Sequence, residues 1–189
     1  MLLASAIVLL FVSVPLTGGK LDRLADLDFR GVPWIAAALA IQVAIIVVVP
    51  AGDTGLHRLA HIASYGAGAV FIWRNRHIAG MLVLGLGAML NAIAITANDG
   101  VMPASRGAME AAGLTHGGGG EFVNSAIVTD PKLAFLGDIL AVPSWVPGAK
   151  VFSAGDVLIL VGAVILVHVA SRRAAARDGV PVGAAPAAG

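Results

Sequence analysis

Asp138 and Asp156 stand 18 residues apart, each directly after a glycine. Two carboxylates held close cannot both ionise, so one keeps its proton. Such a pair can activate water with the anion and protonate a carbonyl with the acid, which is aspartyl hydrolase chemistry. The same residues have a structural reading. Ser153 followed three residues later by Asp156 is a capping box for a helix start, and an early carboxylate suits the helix dipole. Asn91 and Asn98, seven apart on one helical face, would orient the aspartates. Asp138 and Asp156 are thus the candidate catalytic residues, with Asn91, Asn98 and Ser153 in support. His57 and His61 have a spacing that can hold a metal. Arg58 lies between them without a third ligand nearby, so an interfacial helix start is the reading and no metal is expected. Absent cysteines exclude disulfides, iron–sulfur clusters and thiol catalysis. No cofactor is expected.

The elements that must position these residues are apolar helices. Of 189 residues, 58% are apolar and 12% charged, with a mean hydropathy of +0.91. That is about half the charge of an ordinary soluble domain. A net charge of +1 gives no polybasic face for nucleic acid. Five runs approach the roughly 20 apolar residues that cross a bilayer: about 1–17, 32–49, 56–73, 78–97 and 156–170. They lack the period-two alternation of a barrel strand. The fold class expected is an all-α membrane protein, a bundle of about five transmembrane helices with a long extracytoplasmic loop before the last. Residues 1–173 form one domain. The first run has no basic start, so it is read as a span rather than a signal peptide.

Basic residues set the orientation. With the N-terminus outside, Lys20, Arg23, Arg30, Arg74, Arg76, Arg172, Arg173 and Arg177 are cytoplasmic, and only Arg58, Arg106, Lys132 and Lys150 are outside. Residues 98–152 then form an outer loop. It contains a short amphipathic helix over Pro103–Ala112, a flexible joint at Gly117–Gly120, and apolar patches at Phe122–Val128 and Leu133–Val142. The fold-back between 138 and 156 brings the two aspartates together. Residues 174–189, mostly Ala, Gly and Pro, read as a disordered cytoplasmic tail.

Close helix contact in lipid needs small residues. Ala36, Ala40 and Ala44, then Ala60, Ser64 and Gly68, then Gly80, Gly85, Gly87, Ala88 and Ala92 read as seams on the second, third and fourth runs. Gln42 is expected to make an interhelical hydrogen bond, and Tyr65 to need a hydroxyl partner. His168 reads as a residue reaching out from a helix end.

The chain resembles an uncharacterised bacterial family of small multi-pass membrane proteins, a domain of unknown function. The matching pieces are Leu24–Leu27, Ser64-Tyr65, Asn75-Arg76-His77, Asn91, Asn98 with Gly100, Met102-Pro103, Leu136-Gly137-Asp138, Phe152-Ser153 and Gly155-Asp156. Residues 136–162 are also similar to the end of lipoprotein signal peptidase, a membrane aspartyl protease. That family has an Asp in an apolar loop and a Phe-Asn-x-Ala-Asp motif opening its last span. This likeness implies an Asp138/Asp156 dyad. Ser153 stands where that family has Asn, and its Gly-Asn-x-x-Asp-Arg motif is missing.

Two functions follow. The first is a non-enzymatic subunit or scaffold in a bacterial plasma membrane, with the lipid bilayer as its environment and a protein or lipid-linked partner at the outer loop. The alternative is a membrane-surface aspartyl hydrolase.

Overall fold

The computed structural model describes residues 2–48, 55–114, 125–146 and 150–172. The tail at 174–189, the glycines at 117–120 and the side chains of His57 and Arg58 lie outside the described residues.

Each apolar run forms a helix: α1 over Leu2–Leu16, α2 over Val32–Val48, α3 over Gly55–Arg74, α4 over Met81–Ala97 and α6 over Ala154–Arg172. Between α4 and α6 lies a cap made of β1 (Met102–Pro103), the short helix α5 (Arg106–Ala111), β2 (Ser125–Ala126), β3 (Leu140–Val142) and β4 (Lys150–Phe152). The described chain is mostly helical. Among its helices, α6 is the one long and apolar enough to cross a membrane by length and composition. Parts of α1, α2 and α4 are shorter apolar helices, and the 20-residue α3 contains His57, Arg58, His61 and Arg74.

Three helix starts differ from the sequence expectation by two residues or more. α4 starts at Met81 because Gly80 takes a left-handed φ of 83° and breaks the helix there. α6 begins two residues earlier than 156, capped by Ser153. Helix α5 is Arg106–Ala111 rather than Pro103–Ala112, because Ser105 caps it and Pro103 pairs in β1.

Termini are closed locally. After α1, Gly18 turns left-handed (φ 81°), the Gly19 N–H reaches Val14 O at 2.9 Å and the Gly18 N–H reaches Pro15 O at 3.1 Å, a Schellman ending. Pro33 sits in the first turn of α2, where a missing N–H costs nothing.

The helices pair as α2 with α3 and α4 with α6, and α3 joins the pairs. The α4–α6 seam is made of glycines. A Cβ on Gly80 would collide with the backbone of Gly162, and one on Gly87 with the backbone of Gly155. The two pairs share a seven-residue spacing on antiparallel helices, so the backbones approach where side chains would hold them apart. On the far side of α4, Leu82, Leu86, Met89 and Ile93 form an exposed apolar stripe. Ile72 of α3 packs onto Gly85. Between α2 and α3, Gln42 Nε2 donates to Ser64 Oγ at 2.7 Å and its side chain also hydrogen-bonds Tyr65.

α1 meets α6 at one end. The Lys20 N–H donates to Ser171 O, and Arg172 Nη2 to Thr17 O, both at 3.0 Å. His168 does not reach out into solvent as a free end. Its Nε2 lies 3.2 Å from Ser13 Oγ and its Nδ1 3.0 Å from Val164 O, because α1 lies across the last turns of α6.

Candidate functional site

The cap is fastened to the helices at two polar points. The first is the start of α6. Asn91, half-buried on α4, donates from Nδ2 to Asp156 Oδ1 at 2.7 Å. The second carboxylate oxygen accepts the Ser153 N–H at 3.0 Å. Ser153 Oγ donates to Asn91 Oδ1 at 2.8 Å and accepts the Asp156 N–H at 3.0 Å. The capping box is therefore complete, and a carboxamide from a second helix closes it. Gly155 is required here, since a Cβ would run into the Asn91 carboxamide.

The second point is the end of α4. Asn98 is buried, and its Nδ2 donates to Ala94 O and to Lys132 O, each at 2.8 Å. Its Oδ1 accepts the Lys132 N–H at 2.9 Å. The carboxamide thus takes the place of a neighbouring strand for one residue of the loop. Asn75, at the end of α3, repeats this device. Its Oδ1 accepts the Arg30 N–H at 2.8 Å, and its Nδ2 donates to Arg30 O at 2.9 Å and Phe71 O at 2.8 Å. Phe29 stacks against Phe71 beside it, with centroids 6.0 Å apart.

Asp138 is buried in the cap. Its N–H donates to Pro103 O at 2.8 Å, and its carbonyl accepts the Ser105 N–H at 3.0 Å, forming a parallel bridge with Ala104. β3 pairs antiparallel with β4, Leu140 opposite Phe152. The loop folds back along this hairpin and returns Asp138 and Asp156 to its same end. The structure brings Asn91, Ser153 and Asp156 into direct contact. Asn98 joins α4 to Lys132, and Asp138 joins the cap to the segment after α4.

Residues missed by sequence reasoning are Gly155 and Gly162 as seam partners and Asn75 as a clamp. The matching seven-residue spacings, Gly80 to Gly87 and Gly155 to Gly162, were the available signal. Among the described residues, no group of three or more His, Cys, Asp or Glu side chains is placed to hold a metal ion.

Fold and junction together define a helical protein whose last long apolar helix is clasped to a small mixed cap. The chain belongs to the family of unknown function DUF5317, whose family model matches residues 26–168. No curated protein and no solved structure matches.

Proposed function

We propose that the protein is a non-enzymatic membrane scaffold or subunit, with five helices crossing the bilayer and the cap presented on the outer face. The observation that carries this reading is the Asn91–Ser153–Asp156 clasp. Both Asp156 oxygens accept hydrogen bonds, and the Ser153 hydroxyl both donates and accepts. A working acid–base dyad needs a carboxylate that shares a proton and faces substrate. This carboxylate borders a pocket, but both its oxygens are engaged in holding α4 to the start of α6.

Exposed large apolar side chains run along all five long helices, for example Leu9, Leu39, Leu59, Leu86 and Leu160, which suits lipid. The 17-residue α2 and α4 measure about 25 Å, at the short end of what crosses a bilayer. Lys20, Arg23, Arg30, Arg74, Arg76 and Arg172 gather at the end where α1, α3 and α6 finish, and the cap is at the other, which supports an inner face for the basic end. Arg76 lies 4.4 Å over the Trp73 ring there, suited to the headgroup layer.

The test is complementation of a deletion phenotype by Asp156→Asn, with folded membrane-inserted protein quantified in parallel. A scaffold retains function in proportion to the folded amount. Loss of function in fully folded Asp156→Asn protein overturns the reading and favours the hydrolase.

A further inference from the structure

We propose that the space between α1, α6 and the β3–β4 hairpin is a binding site for one acyl chain of an anionic lipid from the outer leaflet. This rests on the membrane reading above. α1 and α6 are fastened to each other near Ser13, Thr17, His168 and Ser171. Toward their opposite ends a pocket of about 520 Å³ lies between them, within the usual size range for small-molecule sites. Its walls include Leu10 of α1 and Leu160 and Ala163 of α6, and Phe152 and Lys150 of the hairpin close one end.

The occupant follows from shape and charge. The helices are held together at the inner end and the hairpin roofs the outer end, so a further helix cannot run the length of the gap. A flexible apolar chain entering sideways from the bilayer can fill it. Its headgroup then lies beside Lys150 at the level where α6 begins. Asp156 also borders the pocket, but its two oxygens are engaged by Asn91 and Ser153. The cation at the exposed rim of the pocket, where a headgroup would lie, is the Lys150 ammonium, while Asp156 is half-buried against α4. That selects an anionic headgroup over a zwitterionic one.

The experiment uses the full chain in nanodiscs carrying photoactivatable acyl chains on phosphatidylglycerol or, in a second arm, on phosphatidylcholine. Labelled residues are mapped by mass spectrometry. The apolar stripe of α4 serves as the reference for ordinary lipid contact. Phosphatidylglycerol is expected to label Leu10 and Leu160 about fivefold more than phosphatidylcholine does, relative to the stripe. Lys150→Glu, on the exposed rim, should remove that excess, and Ala163→Phe should remove the pocket labelling with both lipids. Equal pocket-to-stripe ratios for the two lipids, unchanged by Lys150→Glu, overturn the site and leave the membrane reading standing. Labelling of neither pocket nor stripe overturns the membrane reading itself.

Discussion

Removing the Asn91 side chain breaks two hydrogen bonds at once. Asn91→Ala strips Asp156 Oδ1 of a charge-assisted donor at 2.7 Å and the Ser153 hydroxyl of its acceptor at 2.8 Å. A hydrogen bond to a charged group contributes about 1.5–3 kcal/mol and a neutral one about 1 kcal/mol. Interhelical hydrogen bonds measured in membranes are weaker, about 0.6 kcal/mol on average and about 1.7 at most. Asp156 is half-buried at a helix start, where water can replace part of the loss. The expected cost of Asn91→Ala is therefore about 2 kcal/mol, between those limits. Asp156→Ala also removes the Ser153 N–H acceptor and the favourable first-turn charge, raising the cost to about 3 kcal/mol. Asp156→Asn is different. The introduced carboxamide still accepts from Ser153, and a half-turn of the Asn91 amide lets its oxygen accept from the new NH2. That variant should lose about 1 kcal/mol or less. A double-mutant cycle between Asn91→Ala and Asp156→Ala should give a coupling of about 1.5 kcal/mol. The assay is reversible unfolding in mixed micelles followed by circular dichroism. A cost below about 0.5 kcal/mol for Asn91→Ala would refute the clasp, as would Asp156→Asn matching Asp156→Ala.

Gly87→Ala should destabilise by about 1–3 kcal/mol by forcing α4 off α6, measured by the same unfolding assay. Gly66→Ala on α3 meets open space and should leave unfolding within about 0.5 kcal/mol of the parent. Asn98→Ala should speed amide exchange at Lys132 and its neighbours while leaving Arg30 protected; Asn75→Ala should do the reverse. The cysteine-free sequence permits clean labelling. A cysteine at exposed Glu110 should react with an impermeant maleimide added outside intact cells, and one at exposed Arg76 only after lysis.

The long helices were legible because their apolar runs are long, nearly free of charge, and bounded by turn residues such as Gly18 or by polar residues such as Arg74, Asn98 and Arg172. The capping box at Ser153 and Asp156 was legible because it is local, with donor and acceptor three residues apart. Asn91 was legible as a residue that could orient an aspartate, but its bond to the Ser153 hydroxyl was not: Asn91 is more than 60 residues earlier, and the chain alone does not say which neighbours a mid-helix carboxamide meets. The strands escaped reading for a similar reason. β1 is two residues long and β3 three, and each is defined by a distant partner rather than by its own alternation. Gly162 sits in a valine- and leucine-rich stretch and reads as filler until Gly80 is set against it.

Asn75 and Asn98 grip Arg30 and Lys132 by main-chain atoms alone. Such a grip is blind to the side chain it holds. Positions 30 and 132 are therefore free to change charge, size or polarity without loosening either grip. One substitution is forbidden at both: proline, which has no N–H to give.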